Sequence, residues 1–166
     1  MVDAPPIAEW SNFLTVEAGA AASLTGLVFV AVSINLSKVL AYPGLPGRAA
    51  ESLCQLFGAL IVSTMMLIPG QGMKAMGLEL LGIGSVLWIV QVILQVRHFG
   101  RNRGLPWSWI ISRTLLTQLA TLPFCLAGLA ILAGSTKGLY VMVPGFIFSF
   151  LAGVTGAWVL LIEVHR

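Results

Sequence analysis

Five apolar segments, each long enough to cross a lipid bilayer as a helix, constrain this chain more than any other feature. A spanning helix needs roughly 20 mostly apolar residues, and short turn-forming stretches such as "YPGLPG" and "PGQG" separate the segments. The expected spans are approximately residues 18–36, 53–69, 76–96, 114–133 and 139–162. Residues 7–16 form a candidate interfacial helix ahead of the first span. The pattern predicts one all-α membrane domain over residues 1–166, a bundle of five transmembrane helices.

The composition supports an integral membrane protein and argues against several other classes. Hydrophobic residues make up 58% of the chain and charged residues only 9%, whereas a soluble domain carries about a quarter charged residues. Basic residues do not cluster with aromatic residues, so we expect no nucleic-acid partner. Cys54 and Cys125 lie singly in apolar segments, so we expect no metal and no other cofactor.

The positive charges predict how the chain is oriented. With five spans, the segments 38–52 and 97–113 and the C-terminus lie on one side of the membrane. That side carries Lys38, Arg48, Arg97, Arg101, Arg103, Arg113 and Arg166, and the other side carries Lys74 and Lys137. Because positively charged loops face the cytoplasm, we expect the N-terminus outside and the C-terminus inside, in a bacterial inner (plasma) membrane.

The first span has two specialised faces. Glu17 and Asn35 are five helical turns apart and therefore lie on one line, with Val28 and Val32 between them. In an oligomer this line would place rings of Glu17 and Asn35 at the mouths of a pore, and the two valines would form a hydrophobic constriction. The opposite face carries small residues suited to close helix packing, namely Gly19, Ser23, Gly26 and Ser33. We expect such a helix near the centre of a bundle or oligomer.

The last two spans also carry polar or small-residue faces. A stripe on the fourth span includes Thr117, Gln118 and Thr121. It is either a helix–helix contact held by hydrogen bonds or the wet lining of a permeation path, and both interpretations remain open. On the fifth span we expect a helix-packing face formed by Gly145, Ser149, Gly153 and Gly156.

Ionisable residues inside a membrane are costly and are functional candidates by default. Glu17, Glu51 and Glu79 each lie near the start of an expected span, where the helix dipole stabilises a carboxylate. A helix start in contact with water is the expected environment of all three. Glu79 lies deepest and is therefore the candidate coupling residue of a carrier.

Four stretches, "LTGLVFVAVSINL", "LPGRAAESL", "LIPGQ" and "GLELLGIG", resemble a group of small uncharacterised bacterial membrane proteins. The resemblance covers the first three spans. Some members of that group are labelled modulators of a membrane-anchored AAA protease. The resemblance implies a multi-pass protein of the bacterial inner membrane and brings no catalytic motif with it.

These features favour a homo-oligomeric ion or small-solute channel surrounded by membrane lipid. Two alternatives remain open. One is a non-conducting accessory protein that binds another membrane protein or a protease, and the other is a small dimeric transporter coupled through Glu79. The chain has no P-loop, no G-x-S-x-G and no H-E-x-x-H, and its loops are too short for a catalytic domain, so we do not expect an enzyme.

Overall fold

The fold is a bundle of antiparallel helices, seen in a computed structural model that describes residues 7–42, 44–101 and 107–163. The described residues form helices and turns and contain no strand. The helices are α1 (Ile7–Ile34), α2 (Leu36–Ala41), α3 (Leu45–Met66), α4 (Met73–Arg101), α5 (Trp107–Leu132) and α6 (Gly138–Glu163). Among the described residues, all except the short α2 are long and apolar enough to cross a membrane. The predictions of an all-α fold and of five helices long and apolar enough to span a membrane are therefore confirmed.

The helices extend beyond the apolar segments, mostly at their N-terminal ends. Residues 7–16 are the first turns of α1 rather than a separate helix, and α1 ends at Ile34 because the chain breaks at Asn35 before α2. α3 begins eight residues ahead of its apolar segment. Gly44, at a φ of 96°, turns the chain, and Pro46 occupies the first turn, where a missing backbone N–H costs nothing. Hydropathy locates the hydrocarbon-crossing part of a helix and not its solvated ends.

The central helix is α3, which contacts α1, α4 and α6, while α5 lies between α4 and α6. More than half of the spanning part of α3 is buried, compared with 17% of that of α1. The expectation that the first span lies near the centre therefore does not hold within the chain. α1 packs through one face only, and its remaining surface points away from the other helices.

Short connections join helices that touch, so α3 and α5 begin, and α4 and α6 finish, at the same end of the bundle. We call this the basic end, because Arg48, Arg97 and Arg113 lie near it. The half of the bundle away from it, the dry half, has an apolar core to which all five long helices contribute. That core includes Leu14, Val62, Met76, Leu80, Phe124, Ile131, Met142 and Phe146. Phe124 and Phe146 meet edge to face with ring centroids 5.1 Å apart.

Glycines bring the helices close together. An added Cβ at Gly128 on α5 would lie 2.6 Å from the backbone nitrogen of Leu81 on α4. On α6, a Cβ at Gly153 would meet Leu56 and one at Gly156 would meet Ser52, both on α3, while one at Gly145 would meet the Phe124 ring. Ser149, on the same helix, is buried and donates a hydrogen bond to the Ala120 carbonyl at 3.3 Å. The small residues of α6 therefore lie in contacts with α3 and α5.

The backbone contact at Gly128 makes a stability prediction possible. Gly128→Ala forces α4 and α5 apart, because the obstructing atoms are backbone, and we expect a loss of about 1–3 kcal/mol in the free energy of unfolding. The control is Gly82→Ala on α4, where nothing lies within 4 Å of the added Cβ and helix propensity favours alanine by up to about 1 kcal/mol. Titration with SDS in mixed micelles measures the free energy of unfolding of both variants. Equal stability of the two variants would contradict the close α4–α5 contact.

Candidate functional site

Glu51 is the centre of a buried polar cluster near the basic end. It is the seventh residue of α3 and only 8% exposed. The guanidinium of Arg113 on α5 forms a salt bridge with its carboxylate. The amide of Gln95 on α4 donates to the carboxylate at 3.2 Å, and the hydroxyl of Thr117 on α5 lies 3.4 Å from it. One carboxylate thus joins three helices.

Further hydrogen bonds complete the attachment of α4 to this cluster. Gln91, one turn before Gln95, donates to the backbone carbonyl of Glu51 at 3.2 Å. The hydroxyl of Thr117 also lies 3.0 Å from the Arg113 carbonyl. Burying an ion pair is less costly when further hydrogen bonds reach its polar groups, and Gln95 provides such a bond to the carboxylate.

Beside the Glu51–Arg113 pair lies a cavity of about 360 Å³ between α3, α5 and α6, which we call the basic cavity. Its lining consists of Arg48, Glu51, Ser52, Gln55, Trp109, Ser112, Arg113, Leu116, Thr117, Ala152, Thr155 and Gly156. Two guanidinium groups lie over the ring of Trp109, that of Arg48 at 4.5 Å and that of Arg113 at 5.3 Å from the ring centroid. The lining thus carries two guanidinium groups and one carboxylate.

The lining also has spare hydrogen-bond donors. Arg113 Nη1 and Gln55 Nε2 are buried without a hydrogen-bond partner, and Gln55 itself is 97% buried. An unsatisfied buried polar group costs about 1–3 kcal/mol. Ser112 and Thr155 donate to carbonyls of their own helices, so the cationic and amide groups remain the main donors. A ligand with several acceptor oxygens suits this arrangement.

Polar side chains continue from the basic cavity towards the middle of the bundle. Gln55 also borders a smaller void, too narrow for water, together with Gln91, Thr121 and Ser149. Phe124 lines the same void and belongs to the apolar core of the dry half. The polar path therefore ends at the middle of the bundle.

The candidate pore-lining face of α1 lies inside the chain. Val28 is only 3% exposed, and Val32 packs against the cluster of Val39, Leu45 and Ala49. This placement differs from the predicted constriction, because α1 uses this face to pack against the other helices. Asn35 donates to the Ala31 carbonyl at 3.0 Å at the break after α1.

Glu17 does not lie at a helix start either. It is the eleventh residue of α1, about 15 Å along the helix from Ile7. The residue is half-buried, and its Oε2 is buried without a hydrogen-bond partner. The expectation of a solvated helix start failed here because α1 begins well ahead of its apolar segment.

The small-residue face of α1 is uncovered. Gly19, Ser23, Gly26 and Ser33 are exposed, and nothing lies within 4 Å of a Cβ added at either glycine. Both serines donate to carbonyls of their own helix. Within the chain this face packs against nothing, so its expected role as a packing seam stays a prediction about a second molecule.

The remaining candidates are in separate places. Gln118 accepts a hydrogen bond from the Trp88 indole at 2.6 Å on the α4–α5 surface. Thr121 is buried and donates to the Thr117 carbonyl. Of the polar stripe on α5, Thr117 alone lines the basic cavity. Glu79 is half-buried near the start of α4 and accepts a hydrogen bond from Gln71 at 2.7 Å.

Sequence reasoning placed Glu51 at a solvated helix start and did not single out Arg48 or Trp109. A signal was present, because α3, α4 and α5 each carry an ionisable or amide residue one to two turns from the same end. The pair Gln91–Gln95, with i,i+4 spacing, marks one face of α4. What the sequence did not provide was the rotation of each helix that turns these side chains towards one another.

A comparison of the chain with protein-family models, with curated proteins and with solved structures gives no match.

The ion pair predicts strong coupling between two substitutions. Glu51→Gln leaves Arg113 buried without a counter-charge and should cost about 3 kcal/mol in the free energy of unfolding. Arg113→Gln should also destabilise. The double variant leaves no unpaired charge. Its loss in the free energy of unfolding should therefore be at least about 1 kcal/mol smaller than the sum of the two single losses.

SDS titration of the four proteins measures this coupling. Glu79→Gln is the control, since an amide at that position still offers Gln71 an acceptor and little change is expected. Additive effects of Glu51→Gln and Arg113→Gln would contradict a buried pair.

Proposed function

We propose that the protein is a small membrane carrier that takes up an anionic ligand in the basic cavity. The observation that carries the proposal is the lining itself, in which two arginines and an unpartnered glutamine amide face a single carboxylate. Planar guanidinium groups bind carboxylates and phosphates through paired hydrogen bonds. The volume lies within the range of small-ligand sites, roughly 300–1,000 Å³.

The closed dry half supports transport rather than binding alone. The polar path from the basic cavity stops at Phe124, and beyond it the core is apolar across all five long helices. A carrier alternates between states that are open on one side and closed on the other. The described arrangement fits a state that is open at the basic end, which we expect to face the cytoplasm.

The homo-oligomeric channel expected from the sequence receives less support. Its candidate lining on α1 would need Val28 to face a lumen, and Val28 packs inside the chain. The accessory role, the homo-oligomer and the coupling role of Glu79 stay predictions. An association with another membrane helix would use the uncovered face of α1 that carries Gly19 and Gly26.

Stabilisation of the purified protein by small anions tests the proposal. Ligands that bind only the folded state raise its melting temperature. Inorganic phosphate, glycerol 3-phosphate and succinate are the probes, and choline is the cationic comparison. We expect at least one anion to raise the melting temperature of the wild type by several degrees and to lose most of this effect in Arg48→Gln.

Lys74→Gln is the matched control, because Lys74 is an exposed cation at the end of the bundle away from the basic cavity. Its response to anions should equal that of the wild type. Stabilisation by choline alone, or an equal loss in both variants, would overturn the assignment of the ligand charge to the basic cavity.

A further inference from the structure

The basic cavity opens sideways as well as towards the basic end, where the half-buried Arg48 and Trp109 line it. Between α3 and α6 the close approach of Gly156 to Ser52 and of Gly153 to Leu56 closes the gap. Between α3 and α5 the Glu51–Arg113 salt bridge forms the wall. The cavity reaches the surface at Ser112 on α5 and Thr155 on α6, which line it and are both exposed. The side opening therefore lies between α5 and α6.

This opening is surrounded by side chains suited to lipid. On α5 the neighbours of Ser112 within one turn include Ile111, 60% exposed, and Leu115. On α6 the neighbours of Thr155 include Leu151 and Trp158, which are exposed as well. A mouth that serves a water-soluble ligand would instead be bordered by polar residues.

The depth of the basic cavity corresponds to the boundary between headgroups and acyl chains. Arg113 is six residues from the first residue of α5, and Thr155 is eight residues from the last residue of α6, so the cavity lies about 9–12 Å from the helix ends. A helix of 26 residues is about 39 Å long, compared with a hydrocarbon core of about 30 Å. A centred α5 thus places Arg113 roughly 5 Å inside the hydrocarbon boundary.

We infer that the ligand of the basic cavity is an anionic phospholipid, which enters sideways between α5 and α6. Its phosphate binds Arg113 and Arg48, and its glycerol and upper acyl carbons lie against Leu116 and Ala152. Basic pockets between transmembrane helices on the cytoplasmic side are known to hold anionic headgroups. This inference rests on the proposed function, because it names the ligand class of the same site.

The test uses the full-length protein in nanodiscs that contain phosphatidylglycerol and phosphatidylcholine in equal amounts. Native mass spectrometry after release from the nanodisc measures which lipid stays bound. We expect retention of phosphatidylglycerol over phosphatidylcholine, reduced at least tenfold in Arg48→Gln and unchanged in Lys74→Gln.

A second variant separates a lipid from a soluble ligand. Thr155→Trp narrows the opening between α5 and α6 at an exposed position, so it should reduce retention of phosphatidylglycerol while the protein remains folded. Inorganic phosphate and glycerol 3-phosphate, tested by melting temperature on the same samples, should stabilise Thr155→Trp as well as they stabilise the wild type, because soluble anions can enter from the basic end.

The outcomes are distinguishable. Stabilisation by soluble anions without selective retention of phosphatidylglycerol would overturn the lipid assignment and leave the anion carrier in place. Selective retention that Thr155→Trp does not reduce would overturn the sideways route. Absence of any response to lipid or soluble anion would overturn both this inference and the proposed function.

Discussion

The buried Glu51–Arg113 ion pair is the interaction on which the rest of the structure depends. Burying a charge is costly unless it is paired and hydrogen-bonded, so the contacts of the Glu51 carboxylate favour the helix faces that bring Arg113, Gln95 and Thr117 to it. Gln91 and Gln95 attach α4 to Glu51 by hydrogen bonds, and Thr117 adds a further contact from α5. Glu51 itself lies on α3, the central helix.

The ion pair also explains why the two halves of the bundle differ. At the basic end, polar groups gather around Glu51 and leave a cavity beside it. The core of the dry half is mainly aromatic and aliphatic, with Ser63 bonded to its own helix and Glu17 half-buried on α1. Phe124 marks the border, since it lines the inner void and contacts Phe146 in the apolar core. An anionic ligand held by Arg113 and Arg48 would compete with Glu51 for the same guanidinium. That competition provides a physical means for a ligand to loosen the contact between α3 and α5.

Hydropathy and helical periodicity predict the five spans and the small-residue face of α6, because both depend on residue spacing along one helix. The site was less predictable, since Glu51 and Arg113 are 62 residues apart and meet only through the relative rotation of α3 and α5. On α1, periodicity separated the Val28 face from the Gly26 face correctly. It carried no information on which face turns inward, and in the fold Ala21 and Val28 are buried while Leu27 and Phe29 are exposed.

Thiol accessibility tests most directly whether the basic cavity is open to water while the dry half is closed. In a background with Cys54→Ala and Cys125→Ala, single cysteines are introduced by Ser52→Cys beside Glu51 and by Ser63→Cys in the dry half of the same helix. A membrane-impermeant thiol reagent is applied to sealed vesicles of each orientation. The account predicts that Ser52→Cys reacts from the side of the basic end only and that Ser63→Cys reacts from neither side. Equal reactivity at the two positions, or none at Ser52→Cys, would contradict it.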